Sequence, residues 1–367
     1  MKQLPDFYIF LKRTFISAVI FLNLALTQNA RAISFSRLNG DTEGISDFVS
    51  WGSCLTLPLE IQVNDCGPVR LHTTNNAPFV SHFFLSASSQ VLELSDEVDS
   101  EKPKSETISK ALQSHTTRNA ILSSYVHWKS QYFNIGINPF DATGSFAIHN
   151  ENLPLVSIVT RRDRQIFVGL GHKFQWSGVE LLTGGRFSLI NREETIIEAT
   201  LVDLASQSPT ELKANQDLKG YFLDIGAVLS FESQLHTGIE FKNIGKFSDV
   251  KYKSTDYLFI EKDREPRALL STTYSWLVWF LSASAGGHYI KFLEGENDPK
   301  NQWFMDASLV SGPLKILATY HLDMVRTGIS IQTGAYTFSI AQQWRAKNND
   351  ANRITLALEI GGNSSVL

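Results

Sequence analysis

Residues 220–231 read GYFLDIGAVLSF. Side chains of an extended chain alternate with period two, so Tyr221, Leu223, Ile225, Ala227, Leu229 and Phe231 share one face, and Gly220, Asp224, Gly226 and Ser230 share the other. Phe222 and Val228 blur the second face without removing the alternation. A segment of about ten residues with one greasy and one mostly polar side is the repeating unit of a barrel that stands in lipid, apolar outward and polar inward.

The pattern recurs in both directions along the chain. In 353–361, Ile354, Leu356, Leu358 and Ile360 alternate with Arg353, Thr355, Ala357, Glu359 and Gly361. In 314–322, Ile316, Ala318 and Tyr320 oppose Lys315, Thr319 and His321, and in 235–242, Leu235, Ile239 and Phe241 oppose His236, Gly238, Glu240 and Lys242. Weaker segments lie at 79–86, 121–128, 131–137, 155–161, 165–174, 179–190, 195–204, 267–275, 281–291, 303–310, 327–333 and 335–344. With the weakest discounted, the chain is expected to form an all-β, antiparallel transmembrane barrel of about 14 strands over residues 119–361. Tight connections at 232–234 and 311–313 alternate with long ones at 243–266 and 292–302. That parity matches periplasmic turns and external loops, and it puts the end of the last strand in the periplasm. Trp176, Trp276, Trp279, Phe280, Trp303 and Trp344 sit near strand ends, where an interfacial girdle is expected.

The remaining sequence supplies the address. Lys12 and Arg13 precede an apolar run at 14–27, and Ala30-Arg31-Ala32 follows as a small-x-small cleavage signal, so residues 1–32 are expected to be a signal peptide. The run is too short for a spanning helix, and no later run is long enough. Residues 33–118 are expected to be an irregular periplasmic or plug segment containing a first strand and a short helix at 105–114, and 362–367 a tail. Cys54 and Cys66 are the two cysteines of the chain, close together and without Cys-x-x-Cys spacing; a structural disulfide is the expected pairing in an oxidising periplasm.

A net charge of −4 with no basic block excludes a nucleic-acid binder. The charges on the inward faces nominate a lumen lining: Glu180, Arg186, Asp224, Glu240, Lys242, Arg267, Asp306, His321 and Glu359. Each is read first as a charge paired across neighbouring strands inside a filled barrel, and only second as a contact to a substrate. Nine histidines are present, among them His172, His236, His288 and His321, but no Gly-x-Ser-x-Gly, no His-Glu-x-x-His and no metal-ligand spacing. No catalytic residue, metal or cofactor is therefore assigned, and an outer-membrane hydrolase stands only as an alternative. A secreted β-sandwich for binding or adhesion is the other alternative, since it would show the same alternation with the apolar faces turned onto a second sheet.

Four stretches carry a family resemblance. Gly220-Tyr221-Phe222-Leu223-Asp224-Ile225-Gly226, then Asn243-Ile244-Gly245, then Pro266 through Leu270 to Tyr274 resemble the barrels of the long-chain fatty-acid transporter superfamily, nearest to its TraF-like and PorV-like branch. Residues 179–192 (VELLTGGRFSLINR) resemble the preceding strand of that branch, and the similarity runs over 156–360. The usual Asn-Pro-Ala motif has only Asn76-Ala77-Pro78 and Asn138-Pro139-Phe140 as counterparts, and residues continue past Ile360. The resemblance implies passage of hydrophobic small molecules, or a structural place among secretion or conjugation proteins, in contact with outer-membrane lipid.

Overall fold

A computed structural model describes residues 79–88, 118–130, 132–149, 155–200, 213–232, 234–252, 266–278, 281–293, 302–321, 324–345 and 353–361. Residues 1–78, with Cys54 and Cys66, the helix expected at 105–114, Trp279, Phe280 and the tail lie outside them.

Fourteen strands form one closed antiparallel barrel in which every strand pairs with its sequence neighbours and the last returns to the first. They are β1 (Phe79–Ser88), β2 (Arg118–Lys129), β3 (Phe133–His149), β4 (Leu155–Trp176), β5 (Val179–Thr200), β6 (Lys213–Phe231), β7 (Leu235–Tyr252), β8 (Arg267–Val278), β9 (Leu281–Phe292), β10 (Gln302–Ser311), β11 (Leu314–His321), β12 (Met324–Thr333), β13 (Tyr336–Arg345) and β14 (Arg353–Ile360). Closure pairs the strands all the way round the barrel, although β7 pairs with β8 only over 235–242 while it pairs with β6 out to Tyr252. The seam runs from Ser81 opposite Ile360 to Ser88 opposite Arg353. On its inner face Ser86 and Thr355 share a hydrogen bond of 3.0 Å. The barrel thus begins at Phe79, inside the segment read from sequence as N-terminal.

The barrel is inside-out relative to a soluble protein. Among the described residues, 28 polar or charged side chains are buried against 17 apolar ones, while large aliphatic and aromatic groups cover the outside. No second sheet lies on those outward faces among the described strands, so the sandwich alternative is corrected to a barrel. On β4 the outward positions run Ile166, Val168, Leu170, His172, Phe174 and Trp176, the five apolar ones 42–64% exposed, and the next outward position above them is Arg164. Ten residues rising about 3.3 Å each, on strands tilted near 40°, give an apolar band about 25 Å tall. Aromatic rings mark both margins: Phe79, Trp128, Tyr132, Trp176 and Tyr336 at the short-turn end, Trp303 and Trp344 at the other.

Two pairs of sequence segments proved to be single strands. Segments 155–161 and 165–174 join as β4, and 179–190 and 195–204 join as β5, both 22 residues long. The charged blocks that interrupt the alternation face each other: Arg161 opposes Glu194, Arg162 Glu193, Asp163 Arg192 and Arg164 Asn191. Complementary charges replace apolar contact there, and the hairpin continues beyond the band.

Bulges explain two irregular motifs. Pro139 sits where the β3 register slips between Asn138 and Asp141, a position where a missing N–H breaks no ladder bond. In β7 the register slips opposite Leu223 and Ile225; Asn243 takes a left-handed φ of 59° there, and its N–H donates to Asp224 Oδ1 at 2.9 Å. Gly245 then passes so close to β6 that a Cβ would stand 1.9 Å from the Tyr221 carbonyl oxygen. Gly245→Ala is expected to cost about 1–3 kcal/mol by forcing the strands apart, read as a lower temperature at which the compact band disappears from unboiled gels.

Candidate functional site: the inner wall

Inward positions follow directly from strand parity, and they gather the charges into stripes. Arg186 on β5 is the register partner of Asp224 on β6, Asp224 faces the β7 bulge carrying Lys242, and Lys242 is the partner of Arg267 on β8. Glu240 lies one inward step away, its carboxylate 3.5 Å from Lys242 Nζ. Five of the nine sequence-nominated residues, Arg186, Asp224, Glu240, Lys242 and Arg267, therefore form one charged track across β5 to β8. Arg186 is 6% exposed, and its guanidinium stands 5.1 Å from the centre of the Phe167 ring, a cation–π contact.

The other four are dispersed. Glu180 bonds Lys173 near the short-turn end at 2.5 Å, partly open to solvent. Glu359 stands 3.4 Å from His82 across the seam. Asp306 accepts from His288. His321 is the last residue of β11, opposite Phe304 and Met324; its side chain lies outside the described residues.

Several inner-wall groups were not among the nominated residues. Arg192 donates twice to Asp163, both bonds 2.9 Å, with each side chain 2% exposed and the guanidinium 4.8 Å over the Phe247 ring. His82 stacks 5.9 Å from His127, and both ring systems meet Tyr125. Arg326 donates to Gln343 at 2.6 Å, and Gln343 is in turn the register partner of Arg353. The signal for all of them was present in the sequence: once a strand's outward face is known, every second residue must point inward.

Between the charged stripes lie apolar clusters. Phe84, Ile121, Tyr125 and Phe167 form one, Leu182, Val228, Leu269 and Phe304 a second, and Ile190, Leu218, Phe222 and Phe247 a third. The inner wall thus alternates polar tracks with apolar patches whose residues are buried against one another.

One trio resembles catalytic machinery. Ser271 Oγ lies 2.9 Å from His288 Nδ1, and His288 Nε2 lies 2.8 Å from Asp306 Oδ2. All three are cross-strand neighbours on β8, β9 and β10, with Phe304 stacked on the imidazole at 4.5 Å. The histidine is 1% exposed and its Ser and Asp partners lie on the strands that flank it, so the three side chains are closed in by the wall. The trio works as a clasp over three strands. Ser271→Ala is expected to cost about 1 kcal/mol, the worth of one net hydrogen bond, in urea unfolding followed by fluorescence. Among the described residues no group of three or more His, Cys, Asp or Glu is arranged to hold a metal ion.

No family model matches the sequence, and a comparison with curated proteins finds no match. Solved barrels are similar in shape. The CymD monoaromatic hydrocarbon channel shares 7% identity at a TM-score of 0.47, covering 88% of this chain and 98% of that one. The toluene transporter TbuX of Ralstonia pickettii shares 8% at 0.44, covering 82% and 95%. The translocator domain of the autotransporter NalP of Neisseria meningitidis shares 9% at 0.40, covering 79% and 89%. At these identities and TM-scores the likenesses carry nothing about what passes through this barrel.

Proposed function

We propose that this chain is an integral β-barrel of the bacterial outer membrane and that its inner wall passes hydrophobic small molecules. The membrane reading rests on one observation, the apolar band about 25 Å tall between two aromatic margins, which matches the lipid-facing band of such barrels. No described helix is long and apolar enough to cross a bilayer, so any crossing is made by strands. Passage of apolar solutes is supported by the three aromatic and aliphatic clusters on an otherwise polar wall. The sequence resemblance to long-chain fatty-acid transporter barrels points the same way, with the TraF-like and PorV-like branch as its finer form.

The test is reconstitution. Full-length protein in phosphatidylcholine vesicles is expected to resist carbonate extraction and to speed uptake of a hydrophobic fluorescent probe over protein-free vesicles. Phe167→Leu, which removes the ring from the apolar cluster beside β1 and β2 without introducing a charge, is expected to slow that uptake while leaving insertion intact. Uptake equal to that of empty vesicles would refute the transport reading, and carbonate-extractable protein would refute the membrane reading.

A further inference from the structure

Strand glycines of this barrel differ with the side they face. Outward, Gly144 and Gly287 have nothing within 4 Å of the place a Cβ would occupy, and at Gly185 the nearest atom is 3.5 Å away. Inward, at Gly136, Gly169, Gly220 and Gly286, that place is already taken by a side chain from an adjacent strand. The Phe167 ring of β4 lies across Gly136 of β3, and the Asn134 amide of β3 lies across Gly169 of β4, so the two strands latch each other reciprocally. A Cβ on Gly220 would stand 2.7 Å from Phe247 Cδ1, and one on Gly286 would stand 2.6 Å from Asp306 Oδ1 and 2.7 Å from Thr273 Oγ1. Each of these five covering residues is the register partner of the glycine it covers.

From this pattern we infer that the inward glycines are register keys, each accepting one side chain of an adjacent strand and so fixing how far that strand is shifted. Lipid contact cannot do this. The outward alternation rejects a slip of one residue, which would turn the apolar side chains inward, but a slip of two leaves every face as it was. The keys reject it sterically. Two residues either way, Phe167 would face Asn134 or Asn138 instead of Gly136, and Phe247 would face Leu218 or Phe222 instead of Gly220. Asp306 would likewise face Ser284 or His288 instead of Gly286. Each change drives a side chain into a slot that only a glycine leaves vacant, and overpacking of that kind is destabilising. Because the stagger, tilt and diameter of a closed barrel are linked, the keys also hold its width.

No solute takes part in this, so the test is independent of the transport reading. It is disulfide trapping in the full-length protein. Ile135 and Val168 are outward register partners across β3 and β4, whereas Ile166 or Leu170 would oppose Ile135 after a slip of two. Ile135→Cys is combined with Val168→Cys, Ile166→Cys or Leu170→Cys, the folded protein is oxidised, and the bonds are mapped by peptide mass spectrometry, which separates them from any bond of Cys54 or Cys66. With the keys intact, the pair at 135 and 168 is expected to form at least about tenfold more than either slipped pair, because diagonal neighbours lie beyond disulfide reach. Gly136→Ala together with Gly169→Ala is expected to cut that ratio to about threefold or less, as overpacked slots lose their preference for one register. Adding Phe167→Leu and Asn134→Ala, which remove the atoms that meet the new methyls, is expected to restore most of it; the remainder is the contact of a Gly136 Cβ with His127 Cβ at 2.8 Å. Gly144→Ala, an outward change, is expected to leave the ratio unaltered. Unboiled gels verify folding, and a double glycine variant that loses its compact band but regains it with the two partner changes supports the keys as well. An unchanged ratio in the double glycine variant, or no recovery when the partner changes are added, overturns the inference.

Discussion

Asp163→Ala is expected to destabilise the barrel by about 3–5 kcal/mol, because it strands the Arg192 guanidinium in a site only 2% exposed. The two bonds of 2.9 Å between these residues join β4 and β5 on the inner face, just above the apolar band. Taking both charges out of water is costly, and their mutual attraction offsets that cost only while both are present. Replacing the pair together, Asp163→Leu with Arg192→Met, is therefore expected to cost far less than either single change. Urea unfolding in detergent micelles, followed by tryptophan fluorescence, measures all three. A single variant that lost under 1 kcal/mol would show that the pair is solvated and that this end of the wall is wet.

Ile329→Arg carries the second large effect. Ile329 is an outward residue in the middle of β12, 43% exposed, whereas Tyr336 is outward at the short-turn margin of β13. In a lipid-facing band an arginine costs about 2–4 kcal/mol at the midplane and about 0–1 near the interface. Ile329→Arg is accordingly expected to impair folding into vesicles strongly, and Tyr336→Arg only slightly. Unfolding titrations in phosphatidylcholine vesicles give both numbers. If the two variants cost the same small amount, the outward faces do not meet hydrocarbon.

The contrast between these residues shows what could be read from sequence. Ile329 and its counterparts announce themselves because lipid enforces alternation on the outside of each strand, and 220–231, 314–322 and 353–361 all hold that pattern. Asp163 and Arg192 were hidden because they sit where β4 and β5 have left the band. Lipid no longer constrains the pattern there, so one 22-residue strand looked like two shorter ones on each side of the turn. The charge blocks 161–164 and 191–194 were the legible signal, since they are complementary when paired antiparallel across the turn at 177–178. Asn243-Ile244-Gly245 was visible as a motif, but its cause, a left-handed asparagine at a bulge followed by a glycine pressed against Tyr221, exists only once β6 and β7 are in register. For the same reason Ser271, His288 and Asp306 share no sequence spacing: three hairpin neighbours can meet at any separation in the chain.

The unequal strands have a consequence for arrivals from outside. β4 to β7 run 18 to 22 residues, and β8 to β14 only 8 to 12, so the strand-built cylinder is cut on a slant. The rim of an obliquely cut tube is an ellipse, larger than the bore and tipped toward the low side. Were solutes to enter at that end, those arriving over β8 to β14 would meet the low side of the strand rim, and those arriving over β4 to β7 the high side.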